Sequence, residues 1–279
     1  MEAQRSAATA ASVVSLPGVA DEAYENPRLA ALYDPLDADR GDLDVYAAVA
    51  AELTAYHVLD VGCGTGTFAL LLSDRGLRVT GVEPAAASLD VARSKPGSER
   101  VRWIHGDATV LPAMRVDLAT MTANVAQAIA DPETWEGTLR GIHAALRPGG
   151  HLVFETRDPA RRAWEEWNRA ATHRTVAVEG VGDVETWLDV TDVTWPLVTF
   201  RSTVVLTETG ETLTSDSTLR FRERDEVTAS LTAHGYVVDE VRDAPDRPGR
   251  ELVFFARRPE VHEDEVSAAS SDTSAANVR

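Results

Sequence analysis

The sequence predicts an α/β fold in which a doubly wound, seven-stranded sheet carries an antiparallel β insertion. Between residues 57 and 158, short β-branched runs alternate with helical patterns, as expected for parallel strands joined by crossover helices. A glycine-rich turn follows the first of these runs, and a stretch with a period of two lies between residues 198 and 221. That period indicates antiparallel strands added to the parallel core.

The glycine-rich turn follows the run His57–Val61, which reads as a buried strand and contains Asp60 near its end. Gly62, Gly64 and Gly66 then stand at alternate positions, before an apolar stretch that reads as a helix packed back on the sheet. Glycine is needed where the backbone takes a positive φ or where a ligand presses against the main chain. The turn therefore predicts a polar ligand of about the size of a nucleoside.

The spacing of the glycines distinguishes between ligands. A dinucleotide loop reads G-x-G-x-x-G, whereas Thr67 stands here at the third glycine position, and the lysine of a phosphate loop is missing. The pattern G-x-G-x-G, with Asp60 before it, resembles the S-adenosylmethionine loop of class I methyltransferases, which have a Rossmann-like fold. The resemblance implies that the cofactor contacts the loop residues Asp60, Gly62, Cys63, Gly64 and Gly66. A glycine turn without a ligand is the alternative.

The next strand, 77–83, ends in an acid. Two vicinal ribose hydroxyls need a bidentate acceptor at a strand end, and an ionised Glu83 can accept both hydrogen bonds. The resemblance adds the neighbouring Pro84 to the cofactor contacts.

The third and fourth strands, 101–108 and 116–121, also end beside candidate cofactor residues. In the resembling family an acid after the third strand contacts the adenine amino group, which gives that role to Asp107, with Ala108 beside it. Asn124 would lie near the methionine end of the cofactor. Each acid alone could equally be a solvated strand end or a helix cap.

The fifth strand follows the sequence Leu-Arg-Pro-Gly-Gly at 146–150, which resembles the L-x-P-G-G turn of the same family. Active sites of such sheets lie at the C-terminal ends of the central strands, so Glu155 and Asp158 are predicted to face the methyl acceptor. Glu155 could instead point inward as a paired structural acid. His173 is a candidate general base, with a surface histidine as the plainer interpretation.

Helical patterns between residues 26 and 53 precede the first strand. In many resembling small-molecule enzymes, N-terminal helices close over the cofactor, and a Tyr-Asp pair begins that cover. Tyr33 and Asp34 match this pair. The alternative is a core tyrosine beside a helix that ends at Asp-Pro.

Residues 160–222 form the predicted insertion after the fifth strand. A helix is expected over 161–171, with Trp164 and Trp167 either lining an apolar pocket or packing in the core. A hairpin should follow, because two alternating stretches flank a Glu-Thr-Gly-Glu turn. Resembling enzymes use such an insertion as a substrate lid or a dimer surface. A helix at 225–234 and antiparallel strands at 236–242 and 251–257 complete the prediction.

Composition limits the setting. The 279 residues carry a net charge of −18, with 45 acidic against 27 basic residues. Such a surface repels phosphate backbones and anionic lipid, so we expect neither a nucleic-acid nor a membrane partner. Cys63 is the single cysteine, which suits a reducing cytoplasm. We expect one methyltransferase domain over 25–258, flanked by disordered tails at 1–24 and 259–279, and a homodimer remains open.

The predicted function is transfer of a methyl group from S-adenosylmethionine to oxygen, nitrogen or carbon of a small molecule. The segment 122–127 lacks the Asn/Asp-Pro-Pro-aromatic motif of enzymes that methylate base amines or glutamine amides. Asp158 alone does not make a divalent metal site, and zinc ligand spacing is absent, so no metal is expected. The alternatives are a nicotinamide-dependent oxidoreductase on a Rossmann fold and a cofactor-binding, non-catalytic dimerising protein.

Overall fold

The computed structural model describes residues 20–260, and two β-sheets organise this part of the chain. Its strands are β1 His57–Val61, β2 Arg78–Glu83, β3 Arg102–His105, β4 Val116–Met121, β5 Leu146–Arg157, β6 Arg174–Val178, β7 Gly182–Thr194, β8 Leu197–Leu206, β9 Glu211–Arg220, β10 Val237–Asp243 and β11 Glu251–Arg257. The larger sheet has seven strands in the spatial order β10-β11-β5-β4-β1-β2-β3, and the smaller one has the order β6-β7-β8-β9.

The helices lie mainly between the strands of the larger sheet. They are α1 Glu22–Glu25, α2 Pro27–Leu36, α3 Asp42–Glu52, α4 Thr67–Asp74, α5 Ala86–Ser94, α6 Val125–Ala128, α7 Pro132–Ala145, α8 Arg169–Thr172 and α9 Arg224–Ala233.

The strand order explains where a ligand would bind. Strands β1 to β5 run parallel, and β1 pairs with β2 on one side and with β4 on the other. The chain order therefore reverses direction at β1, and a crevice opens beyond the carboxyl ends of the strands at such a switch point. Strands β10 and β11 join as the predicted antiparallel pair. The predicted fold class is confirmed.

Both faces of the large sheet are covered by apolar side chains. On β1, Leu59 and Val58 are fully buried and belong to two different core clusters. The cluster of Leu59 includes Phe154 and Leu139 from α7, and that of Val58 includes Leu72 from α4. This two-sided burial explains the nearly continuous apolar runs of the parallel strands.

The smaller sheet contains the predicted hairpin, formed by β8 and β9. One face of this sheet packs on α2, where Leu29 and Leu32 meet Val184, Val204 and their neighbours. A hairpin alone is marginal in water, so this contact with a helix contributes to the stability of the added sheet.

The helix predicted over 161–171 is wrong. The structure has short 3₁₀ turns instead, followed by α8. Arg162 takes a left-handed conformation with φ of 47°, and the Asn168 side chain caps the N-terminus of α8. Trp164 packs edge-on against Phe221 at 4.6 Å between ring centroids. The spacing of Trp164 and Trp167 therefore reflects their packing against the smaller sheet.

The N-terminal boundary also needs correction. Helix α1 begins at Glu22, inside the segment 1–24 that the composition predicts to be disordered. The rest of the predicted tails, 1–19 and 261–279, lies outside the described residues. Within 20–260, no helix is both long enough and apolar enough to cross a membrane.

Candidate functional site

A cavity of about 250 Å³ lies at the C-terminal edge of the large sheet. Its floor is made by the segments that follow β1 to β4, and its cover is made by α1 and α2, hereafter the cap. The cavity thus occupies the crevice that the strand order creates.

The three glycines of the loop are required for different reasons. A Cβ on Gly62 would lie 2.7 Å from the Val125 side chain, and one on Gly66 would lie 2.6 Å from the ring of Trp103. A Cβ on Gly64, whose φ is +51°, would meet nothing within 4 Å. Gly62 and Gly64 line the cavity, whereas Gly66 does not. Gly66 therefore packs closely on Trp103, and its contact with the cofactor stays a prediction.

Glu83 joins the second strand to the glycine loop. Its Oε2 accepts a hydrogen bond from the Gly64 backbone N–H at 2.8 Å, and its Oε1 accepts one from Ala85 at 2.9 Å. Burial raises the pKa of the Glu83 carboxyl, and these two bonds oppose the rise. Each carboxylate oxygen has further acceptor capacity, so Glu83 can hold the loop and still bind two hydroxyls in the cavity. Pro84 lines the wall beside it.

Asp60, at the end of β1, is fully buried and also lines the cavity. Its Oδ1 accepts a hydrogen bond from the Thr120 hydroxyl at 3.1 Å, while Oδ2 has no partner among the described residues. Burial raises the pKa of Asp60 to about 7, and the nearby charge of Glu83 adds to the rise. An unpaired buried carboxylate oxygen is costly, and a cationic or hydrogen-bonding ligand group would relieve that cost.

Asp107 and Ala108 form another part of the wall. Asp107 caps a short 3₁₀ turn, and its Oδ1 accepts hydrogen bonds from the Thr109 N–H at 2.8 Å and from the Thr109 hydroxyl. Both bonds go to the same oxygen, so Oδ2 keeps its capacity to accept from a ligand.

Cys63 lines the cavity, and its thiol is buried. Burial raises the pKa of this thiol well above its usual value. The thiolate is the nucleophilic form, so Cys63 is a small residue that fits the loop and has no feature of a nucleophile.

The cap is fastened to the glycine loop by Asp34. Its Oδ1 accepts hydrogen bonds from the hydroxyls of Thr65 at 2.6 Å and Thr67 at 3.1 Å, and its Oδ2 lies 2.6 Å from Nζ of Lys95. Lys95 also donates to the Thr67 hydroxyl at 3.0 Å. One carboxylate therefore links α2 to both ends of the loop-to-helix turn, and Tyr33 beside it lines the cavity.

The smaller sheet supports the cap from the other side. The Ala23 backbone N–H donates to the Ser215 hydroxyl at 2.8 Å, and Arg28 pairs with Glu211. Among the residues that line the cavity, none comes from β6 to β9. The insertion expected to be a lid therefore contacts the cap and does not line the cavity directly.

The turn after β4 carries unusual backbone angles. Ala123 and Asn124 have φ of 57° and 61°, a conformation that costs on the order of 1–3 kcal/mol per residue outside glycine. The Glu155 carboxylate accepts the Asn124 N–H at 2.8 Å, and Glu251 accepts from the Asn124 side chain at 3.1 Å. Ala123 and Val125 line the cavity, but Asn124 does not. Its side chain turns toward Glu251, and its contact with the cofactor stays a prediction.

Glu155 is likewise not in the cavity wall. It is 2% exposed, and burial raises the pKa of its carboxyl to about 7, with the charge of Glu251 adding to the rise. This burial agrees with the inward-facing alternative, while the catalytic role of Glu155 stays a prediction. Glu155 positions the turn that contributes Ala123 and Val125 to the site.

The other two catalytic candidates also lie away from the cavity. Asp158 caps a short 3₁₀ turn by accepting the Ala160 N–H at 3.0 Å. His173, between α8 and β6, lies 3.2 Å from a carboxylate oxygen of Glu185. Both side chains have structural partners outside the site, so neither is placed to act as a base there.

Several residues of the site were not found from the sequence. Arg40 lines the cavity and pairs with Asp42 at 3.1 Å, and Asp21 and Tyr24 of the N-terminal segment also line it. Lys95 completes the Asp34 contact. None of these residues belongs to a local motif, although the isolation of the only lysine in the chain could have drawn attention to it.

Comparison with known proteins supports this geometry. Residues 58–150 match the family model described as a methyltransferase domain. A cypemycin N-terminal methyltransferase from a Streptomyces species is 36% identical over 104 residues, which cover 37% of this chain and 42% of the relative. A ubiquinone/menaquinone biosynthesis C-methyltransferase from Rubrivivax gelatinosus is 33% identical over 116 residues, covering 41% and 45%. The chain thus spans less than half the length of these relatives.

Solved structures extend the likeness to most of the chain. The CcbJ methyltransferase from Streptomyces caelestis superposes with a TM-score of 0.68 at 23% identity, covering 86% of this chain and all of that one. The S-adenosylmethionine-bound amino pentose methyltransferase CalS10 from Micromonospora echinaspora gives a TM-score of 0.63 at 24% identity, covering 82% and 95%. At such identities the likeness concerns the fold.

The described chain therefore has the class I methyltransferase fold. More narrowly, residues 58–150 match the methyltransferase family model, in agreement with the resemblance stated from the glycine loop. The predicted cofactor, S-adenosylmethionine, is bound in one of these neighbours.

Proposed function

We propose that this protein is an S-adenosylmethionine-dependent methyltransferase that acts on a small molecule. The observation that carries the proposal is the pairing of Gly64 with Glu83. A side chain on Gly64 would enter open space, and the Glu83 carboxylate that accepts the Gly64 N–H stands at the same wall. A flat ligand with vicinal hydroxyls fits this combination of a bare backbone and a bidentate acceptor.

The remaining wall residues fit the other parts of such a cofactor. Glu83 would hold the ribose hydroxyls and Asp107 the adenine amino group. Arg40 would pair with the methionine carboxylate, and the unpartnered Oδ2 of Asp60 would accept from the methionine ammonium. Opposite charges at close range favour the charged forms, so an ammonium beside Asp60 would lower its raised pKa.

When bound, the cofactor supplies a methyl group that is already electrophilic on its sulfonium. The protein then has to align a nucleophile and exclude water, and positioning of this kind is worth about 7–11 kcal/mol of the barrier. The cap provides the enclosure, and the strained turn at Ala123 provides a fixed wall near β4.

The acceptor class stays broad in this proposal. The named relatives methylate different atoms, since one is called an N-terminal methyltransferase and another a C-methyltransferase. We propose a small-molecule acceptor because α1 and α2 cover the cavity and the net charge of −18 disfavours nucleic acid. We further propose a cytoplasmic setting, since the single cysteine is buried as a thiol in the cofactor loop.

Isothermal titration tests the proposal directly. The protein should bind S-adenosylhomocysteine and S-adenosylmethionine and should show no heat with NAD. Incubation of small-molecule extracts with the protein and a methyl-labelled cofactor should then yield labelled products. Binding of NAD alone would support the oxidoreductase instead, and cofactor binding without any labelled product would support the non-catalytic alternative.

A further inference from the structure

The cavity contains one more carboxylate than the proposed cofactor accounts for. Glu83, Asp60 and Asp107 stand at strand ends and have proposed cofactor partners, but Asp21 enters the same cavity from the cap side. Asp21 lies at the N-cap position of α1, yet its side chain makes no capping hydrogen bond. Its carboxylate is therefore not used to stabilise its own helix.

The surroundings of Asp21 leave it short of positive charge. The Ser217 hydroxyl on β9 opposes the rise in the pKa of this carboxyl, and the charged neighbour acting on it is another acid, Asp216. Asp216 is itself paired with Arg201 at 2.7 Å. Burial raises the pKa of the Asp21 carboxyl, and the charge of Asp216 adds to the rise. A cation in the cavity would offset both effects.

Two aromatic rings line the same cavity as this carboxylate. Tyr24 and Tyr33 both line the cavity, with ring centroids 5.9 Å apart and planes inclined at 51°. Within residues 20–260 neither phenol hydroxyl is hydrogen-bonded to another side chain or to the backbone. An acid next to tilted aromatic faces is a suitable environment for an ammonium group, because the ring faces and the carboxylate both attract a cation.

We infer that the methyl acceptor is an amine whose ammonium group is recognised by Asp21 and the Tyr24 ring. This inference rests on the proposed function and specifies the accepting atom that it leaves open. Asp21 would be a catalytic residue in the strict sense of touching the substrate.

The chemistry balances with the groups present. The bound ammonium gives one N–H proton to the Asp21 carboxylate and becomes a neutral amine. The nitrogen lone pair forms the new C–N bond as the C–S bond breaks, and the electron pair of that bond stays on sulfur. The products are a neutral thioether and an N-methylated ammonium, and the proton on Asp21 returns to solvent.

The test compares Asp21→Asn with Glu22→Gln. Both changes remove one acid from the same short helix, but the exposed Glu22 does not line the cavity. Small-molecule extracts from bacteria are incubated with trideuteromethyl S-adenosylmethionine, and the labelled atom of each product is identified by mass spectrometry and NMR. We expect the label on nitrogen. Asp21→Asn should lower kcat/KM for that product about 30-fold or more, as expected for loss of a desolvated charge partner, while Glu22→Gln stays within two-fold of wild type.

Cofactor affinity distinguishes the ways in which the inference could fail. We expect Asp21→Asn to bind S-adenosylhomocysteine and S-adenosylmethionine as wild type does. If it loses affinity for S-adenosylmethionine alone, Asp21 serves the sulfonium, and the inference is overturned. A label on oxygen or carbon, or equal activity of the two variants, overturns it as well while leaving the methyltransferase intact. If wild type binds neither compound, or binds them and labels nothing, the proposed function itself fails.

Tyr24 supplies a second variant that preserves the cavity. Tyr24→Phe keeps the aromatic face and should retain most of the activity on the same product, whereas Tyr24→Ala should lose it with unchanged affinity for S-adenosylhomocysteine. Equal loss in both variants would mean that the hydroxyl, and not the ring, is what the acceptor needs.

Discussion

The two sides of the cavity are built in different ways. The floor comes from turns that directly follow β1, β2 and β3, and its key residues lie within a few positions of a strand end. The cover comes from α1 and α2, which are held by contacts to residues far along the chain, such as Ser215 and Glu211. The floor is thus built from residues that are local in sequence, and the cover depends on long-range packing.

This difference separates what each side can tolerate. Because the floor is made of backbone and strand-end acids, we expect its structure to change little unless one of those groups is substituted. A cover made of surface helices and a supporting sheet can change its contacts without disturbing the floor. Four substitutions test this division, two on the floor, one between the two sides and one in the cover.

Gly64→Val should abolish binding of S-adenosylhomocysteine, the largest effect that we expect. The side chain would occupy open space of the cavity, and the φ of +51° disfavours a β-branched residue. Gly76→Val is the matched control, because Gly76 also has a positive φ with nothing within 4 Å of its Cβ but lies outside the cavity wall. Titration calorimetry on both variants decides the matter, and measurable binding by Gly64→Val would place the ligand elsewhere.

Glu83→Ala should weaken S-adenosylhomocysteine binding by a factor of about 100 or more, since two charge-assisted hydrogen bonds are lost at about 1.5–3 kcal/mol each. The loop would also lose the acceptor for the Gly64 N–H. Glu83→Gln should fall between this variant and wild type, because its amide oxygen can still accept one bond. Equal dissociation constants for all three proteins would remove Glu83 from the site.

Glu155→Gln tests the support that lies between the two sides. Because the pKa of Glu155 is about 7 in the fold, above that of the unfolded chain, its ionisation destabilises the fold as pH rises from about 4.5 to 7. The Gln variant lacks this term and can still accept the Asn124 N–H. Its stability relative to wild type should therefore increase by up to about 3 kcal/mol between pH 4.5 and 8.

Chemical denaturation at several pH values measures that difference. Glu155→Ala, which removes the acceptor, should be less stable than Glu155→Gln at every pH. A stability difference between Glu155→Gln and wild type that does not change with pH would contradict the raised pKa.

Asp34→Ala should weaken cofactor binding by about ten-fold, because the cap loses its hydrogen bonds to Thr65 and Thr67 and its ion pair with Lys95. The partly exposed ion pair between Asp34 and Lys95 contributes little to this effect. Because the hydrogen bonds hold the cap over the cavity, we expect their loss to appear mainly as a faster dissociation rate of the cofactor. Asp39→Ala, an exposed residue in the same part of the chain but outside the cofactor cavity, serves as the control. Stopped-flow release of S-adenosylhomocysteine would show whether the two variants differ.

The same division explains what could be predicted from the sequence. The strands, the glycine loop and the hairpin of β8 and β9 follow local periodicities and turn residues, and those predictions are confirmed as elements of the fold. The helix at 161–171 failed because the spacing of Trp164 and Trp167 reflects packing on the smaller sheet. Spacing alone does not distinguish that from a helical face.

The positions of the other candidate residues were harder to predict for a related reason. Strand β5 is buried on both faces near Glu155, so alternation along the strand does not reveal which way that side chain points. His173 and Asp158 lie near the right strand in sequence but have partners elsewhere. Asp21 and Arg40 reach the cavity only through the way α1 and α2 fold over the sheet, which leaves no short-range pattern.

The contact between Asp34 and Lys95 makes the position of the cap measurable by chemical labelling. Lys95 carries the only side-chain primary amine in the sequence, and that amine is held at 2.6 Å from the Asp34 carboxylate while the cap is in place. The rate at which an amine-selective reagent acylates Lys95 therefore reports whether the cap is in place. Peptide mapping after a brief pulse of reagent, with and without S-adenosylhomocysteine, would give the fraction of molecules whose cap is detached, with no engineered label.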